Sequence, residues 1–281
     1  MMHMNDPTPD DRSGTPGRPG RGQSLAVAGL TIAVLTAGMA MMLPAAQTDA
    51  APADGTPVVV ELFTSQSCYS CPPAEAKLAE FAQRTDIIAL EHHVDYWDSL
   101  VYGAAGRWKD VFSSPDATER QRVYNAAIPG RGHSYTPQIV VGGYYEAVGS
   151  RDGEVNEAIR DARRQTPMAL SVAARSDSGD GLHVTVTGPA PDKPAGIWLV
   201  RYLREHVTEV RSGENKGKTL AGRNIVPEMR RIGEWRGDAV VIDLAGAKPD
   251  AEHGCAVLVQ PDALGSILGA AYCDLEPRPP S

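Results

Sequence analysis

The stretch from Val58 to Phe81 limits what this chain can fold into more than any other. An apolar run, Val58-Val59-Val60-Glu61-Leu62-Phe63, reads as a strand that passes through a short polar turn into Cys68-Tyr69-Ser70-Cys71-Pro72-Pro73 and then a helix. With Ser70 as N-cap, Pro72 and Pro73 fall at the second and third helical positions, whose N–H groups have no acceptor within the helix. The helix continues to about Arg84, with Ala74, Leu78, Phe81 and Ala82 along its apolar side. Two thiols at a helix start sit where the positive end of the helix dipole favours thiolate. That is the local geometry of a thiol–disulfide redox site, with Cys68 attacking from an exposed turn and Cys71 resolving from one turn deeper. A structural disulfide, or half of a zinc site, uses the same spacing.

The first fifty residues must be set aside before the fold is read. Arg12, Arg18 and Arg21 lead into an uncharged run from Ser24 to Gln47, the pattern of an export signal. Leu25 to Leu43 is long for a signal-peptide core and about long enough to span a bilayer, so cleavage near Ala45 or Ala50 and retention as an anchor both stay open. Either way the folded part is expected outside the cytoplasm, periplasmic or secreted. The formal net charge of −8 over 281 residues, with no basic stripe to offset it, argues against a nucleic-acid partner.

Disulfides persist in exported proteins, which makes the other two cysteines informative. Cys255 and Cys273 are expected to form a structural bridge that stabilises by about 3 kcal/mol in the chain-entropy model. Pairing of either with Cys68 stays open.

After the linker at 51–57 and the first strand and helix, Ile87-Ile88-Ala89-Leu90 reads as a buried strand whose end carries Glu91-His92-His93-Val94-Asp95. Residues 100–113, with Tyr102, Trp108 and Phe112, read as an ordered loop or lid. Ser114-Pro115-Asp116 starts a second helix, which Ile128-Pro129-Gly130 breaks. Pro137, directly before the apolar run Gln138-Ile139-Val140-Val141, cannot donate to a ladder and so must sit at the strand's first residue or on an edge. Gly142-Gly143 turns that strand into a hairpin, and a third helix opens at Ser150-Arg151-Asp152. From Thr166 onward helical periodicity gives way to alternation, and the remainder reads as a mostly antiparallel sandwich or partial barrel.

The order β-α-β-α-β-β-α, the C-x-x-C between first strand and helix, and Thr136-Pro137 before the third strand together resemble the thioredoxin superfamily. More narrowly, Glu61 through Pro73, His93-Val94-Asp95-Tyr96-Trp97-Asp98, Arg120-Gln121-Arg122 and Tyr135-Thr136-Pro137-Gln138 resemble an exported bacterial family catalogued as domain of unknown function 1223. The resemblance implies a thioredoxin-like α/β domain, at 58–166, followed by a mostly antiparallel β-rich domain, at 167–274; residues 275–281 read as a disordered tail. It also implies that Cys68 is the nucleophile, that Cys71 resolves, and that Pro137 is cis, with Thr136 and Pro137 facing the substrate. The chain departs from thioredoxin in having Ser67 before the pair and Tyr69-Ser70 within it.

Glu61, His93 and Asp95 are candidate proton relays, and His92 and His133 have similar standing. The expected function is that of a thiol–disulfide oxidoreductase without a cofactor, whose partners are protein or small-molecule thiols and disulfides. Two alternatives stand beside it. One is a copper or other metal carrier using Cys68, Cys71 and a histidine such as His93. The other is a non-catalytic interaction protein in which both disulfides are structural.

Overall fold

The computed structural model describes residues 56–100, 108–130, 132–165 and 170–273. The export or anchor segment, Tyr102, the boundary at 166/167 and the tail at 275–281 therefore lie outside the described residues. Among the described residues no helix is long and apolar enough to cross a membrane.

Strand β1 (Val58–Thr64) is followed by α1 (Pro72–Phe81), β2 (Ile87–His93), the single turn α2 (Trp97–Leu100) and α3 (Pro115–Ala127). The hairpin β3 (Gln138–Val141) and β4 (Tyr145–Val148) leads to α4 (Asp152–Arg164). Helix α3 starts where its sequence says, because the Ser114 hydroxyl accepts the Asp116 N–H at 3.1 Å. Helix α1 starts one residue later than expected, with Cys71 rather than Ser70 at the N-cap. The reason is in the backbone, where the Cys71 carbonyl accepts the N–H groups of both Ala74 (2.9 Å) and Glu75 (3.1 Å). Pro72 and Pro73 thus occupy the first two helical positions, and no helical hydrogen bond is lost.

The second half contributes β5 (Ser171–Ser176), β6 (Leu182–Thr187), β7 (Ala195–Glu209), β8 (Thr219–Trp235), β9 (Val240–Leu244), β10 (His253–Gln260) and β11 (Gly269–Tyr272). Here the expected fold class is overturned. Instead of a thioredoxin-like α/β domain followed by a separate β-rich one, strands from both halves form a single eight-stranded mixed sheet, ordered β11-β10-β7-β8-β2-β1-β3-β4. The join is the parallel pairing of β2 with β8 through Glu91 and Ile225. An edge that a self-contained domain would leave at β2 is therefore covered. One apolar cluster crosses the join, packing Val59, Ile88 and Leu90 against Val200, Tyr202, Val226 and Leu258. The described residues, from 56 to 273, accordingly fall in one compact unit.

Strands β7 and β8 are long, at 15 and 17 residues. Register shifts at Ile197/Trp198 and Arg201/Leu203, and the positive φ of Asn224 (50°), break the alternation that would have revealed them. A second sheet, β5-β6-β9, packs on the first over a core that holds Trp235, Leu182, Val184, Ile197, Val257 and the Cys255–Cys273 bridge.

Candidate functional site

Strand pleat sorts the polar residues of β1 and β2 into two groups. Val60, Leu62, Ile87 and Ala89 pack with Leu78 and Phe81 of α1, so residues of that parity (Thr64, Glu91 and His93) share the α1 side of the sheet. Glu61 and His92 fall on the opposite side, where Phe63 meets Tyr124 of α3.

On the α1 side, Cys68 and Cys71 are joined in a disulfide with Cα atoms 5.5 Å apart. Cys71 is fully buried, as expected. Cys68 is not in an exposed position: only 1% of it is accessible, while Tyr69 beside it is 68% exposed. What holds the Cys68 turn down comes from the other half of the chain. At the tip of the β7–β8 hairpin, the Asn215 side-chain amide donates to the carbonyls of Gln66 (3.0 Å) and Cys68 (2.7 Å). The Glu214 carboxylate accepts the Tyr69 N–H at 2.8 Å.

On the same side of the sheet lies a buried cluster of three carboxyl groups and one imidazole. His93 engages Asp110 through Nδ1 (2.7 Å) and Glu91 through Nε2 (2.8 Å). Burial opposes its charge, but the two carboxylates outweigh that and hold it protonated well above the usual histidine range. Asp110 also accepts the Gln66 N–H at 2.7 Å, which ties the cluster to the segment leading into Cys68. Glu75, four residues after Cys71 and on the buried side of α1, accepts the Thr64 hydroxyl at 2.7 Å. Burial, reinforced by the Glu91 and Asp110 carboxylates, pushes its pKa up to about 7.

That shift has a signed consequence. A carboxyl group whose folded value lies above its unfolded one adds stability that is complete below about pH 4.5 and is lost as pH rises through about 7. Glu75→Gln removes the titration. The variant is expected to match wild type near pH 4.5 and to be more stable above pH 7 by something on the order of 3 kcal/mol. Urea unfolding of both proteins from pH 4.5 to 8 measures it, and parallel curves would exclude Glu75 as the group responsible.

The other expected site residues are placed as follows. Glu61 is fully buried on the face away from α1, bonded to Arg120 Nε (2.6 Å) and His92 Nε2 (3.0 Å). Asp95 accepts the Thr118 hydroxyl at 2.6 Å, and so anchors the end of β2 to α3. The Thr136–Pro137 peptide is cis, Pro137 is buried, and the Thr136 hydroxyl accepts the Trp97 indole N–H at 2.7 Å. Pro137 borders Gly149, which also abuts Ala74 of α1. His133 is exposed and lines a shallow cavity with Tyr96, Arg122 and Asn125.

His93, named in the metal-carrier alternative, has both ring nitrogens occupied by carboxylates. Among the described residues no group of three or more His, Cys, Asp or Glu side chains is arranged to hold a metal ion. Sequence reasoning missed Glu75, Asp110, Glu214 and Asn215. Glu75 had a readable signal in its i+4 spacing from Cys71; the hairpin-tip residues had none, since their role depends on a contact about 145 positions away.

No curated protein matches the chain. A solved structure that does is the crystal structure of protein AGR_C_4864 from Agrobacterium tumefaciens, 29% identical, with a TM-score of 0.63 over 77% of this chain and 93% of that one. Residues 59–260 match the family described as "Protein of unknown function (DUF1223)", a span that holds the cysteine pair, both polar clusters, Pro137 and the hairpin tip, and the chain belongs to that family.

Proposed function

We propose that the protein carries out thiol–disulfide exchange through Cys68 and Cys71. The observation that carries this reading is a disulfide between residues three apart whose second cysteine is the N-cap of α1. A thiolate released there is stabilised by the helix dipole, which makes Cys71 a good leaving group.

The exchange balances without a further cofactor. A substrate thiolate attacks Sγ of Cys68, the Cys68–Cys71 bond breaks, and Cys71 leaves as a thiolate that takes up a proton. The second substrate thiolate then attacks the mixed disulfide, so the substrate departs oxidised and the pair is left reduced by two electrons. The reverse sequence reduces a substrate disulfide. Protein or small-molecule thiols outside the cytoplasm are the partners proposed.

The burial of Cys68 favours a second reading, in which both bridges are structural. Two measurements separate them. Cys71→Ser should accumulate mixed disulfides through Cys68, visible on non-reducing gels, and the wild-type pair should titrate in thiol buffers above about −300 mV. Absence of adducts together with a potential below that value would leave the structural reading.

A further inference from the structure

The β7–β8 hairpin tip makes four hydrogen bonds to the backbone of the turn that carries Cys68. Asn215, itself fully buried, donates to the carbonyls of Gln66 and Cys68. Glu214 donates its N–H to the Ser67 carbonyl (3.2 Å) and accepts the Tyr69 N–H on its carboxylate (2.8 Å). Lys218 holds Asn215 in place by donating to its side-chain oxygen at 2.9 Å, and its ammonium lies 4.9 Å from the centre of the Tyr69 ring. Gly213 allows the approach. Its φ is +93°, and a Cβ there would sit 2.9 Å from the Ser67 Cα. None of these tip residues lies in the main apolar clusters, so the contact is polar, local and separable from the core.

We propose that the hairpin tip is a strap over the cysteine pair, with Asn215 as its positioning residue, and that a substrate thiol reaches Cys68 Sγ only after the strap lifts. The proposal rests on the exchange reading for its biological meaning but not for its test. An incoming thiolate must approach Cys68 along the S–S axis, opposite Cys71, and Cys68 is 1% exposed while the strap is down. A substrate that offers an extended backbone can replace the strap's bonds to the Gln66 and Cys68 carbonyls and the Tyr69 N–H with its own. A small thiol cannot, so the strap selects peptide-like substrates over small thiols.

The two disulfides supply an internal control. The full chain is exposed to dithiothreitol, and each bridge is followed by alkylation and peptide mass in wild type, Asn215→Ala and Gly213→Ala. Both variants are expected to speed reduction of Cys68–Cys71 by about tenfold or more, the effect of losing one or two hydrogen bonds, while leaving Cys255–Cys273 reduction and the equilibrium potential of the first pair unchanged. Equal acceleration of both bridges, as a merely destabilised fold would show, overturns the proposal, and so does no acceleration of either. Failure of the exchange reading looks different: Cys68–Cys71 would respond to the strap variants yet have a potential too low to cycle and give no adducts.

Discussion

Arg120→Ala is expected to lower the unfolding free energy by about 3–5 kcal/mol, the largest single-residue effect outside the apolar core. The Arg120 guanidinium meets Glu61 through Nε at 2.6 Å and Nη2 at 3.0 Å, and also reaches Tyr124 Oη (2.8 Å) and Gln260 Oε1 (2.9 Å). Glu61 is fully buried, so removing Arg120 leaves a carboxylate shielded from solvent with only neutral partners. Burial alone would raise the Glu61 pKa. Arg120 and the His92 hydrogen bond outweigh it and hold the group far below the ordinary carboxylate range.

The sign follows from linkage. With a depressed folded value, the wild-type contribution is complete above about pH 4.5 and is lost only as pH falls below that. In Arg120→Ala burial dominates and the folded value moves above the unfolded one, so the deficit relative to wild type should grow as pH rises from 5 to 8. Paired urea titrations across that range measure the difference. A deficit under about 1 kcal/mol that does not change with pH would show that water enters the site and the pair is not the keystone of this face. Replacing both residues with leucine should recover much of the loss, because the large cost is that of an unpaired charge rather than of an absent pair.

Cys255→Ala with Cys273→Ala is expected to cost about 3 kcal/mol and to lower Tm by about 6–12 °C. The bridge closes a loop of 18 residues, and both cysteines lie in the core between the two sheets beside Trp235 and Leu182. It ties β10 to β11, and Cys273 also forms an isolated parallel bridge with Ala174, so the same crosslink holds the edge strand of the large sheet against the small one. Differential scanning calorimetry reads the effect directly. A Tm shift of less than about 2 °C would mean that the β10–β11 ladder holds the unfolded loop closed by itself.

These two sites were legible to different degrees. Cys255 and Cys273 could be picked out as a structural pair because disulfides persist in exported proteins and the other two cysteines already stand in C-x-x-C spacing. Glu61 and Arg120 are 59 positions apart, and nothing local marks them as partners. What the chain does state locally is pleat: Glu61 stands one position out of step with Val60 and Leu62, which is why it faces α3 and not the cysteines. A proton-relay role for Glu61 would have required the other parity.

By itself the sequence determined the local elements around the cysteines: the strand into the turn, the prolines at the start of α1, the Ser114 cap of α3, and Pro137 at the head of β3. Each is decided by φ restriction, capping chemistry or short-range periodicity, which act over a few residues. Only the tertiary structure decided that the two halves share one sheet, that β8 pairs with β2, and that a hairpin tip is hydrogen-bonded to the turn carrying Cys68. Those outcomes depend on unpaired strand edges and backbone carbonyls finding donors more than a hundred residues away, and a backbone hydrogen bond leaves no trace in the identity of the residues that make it.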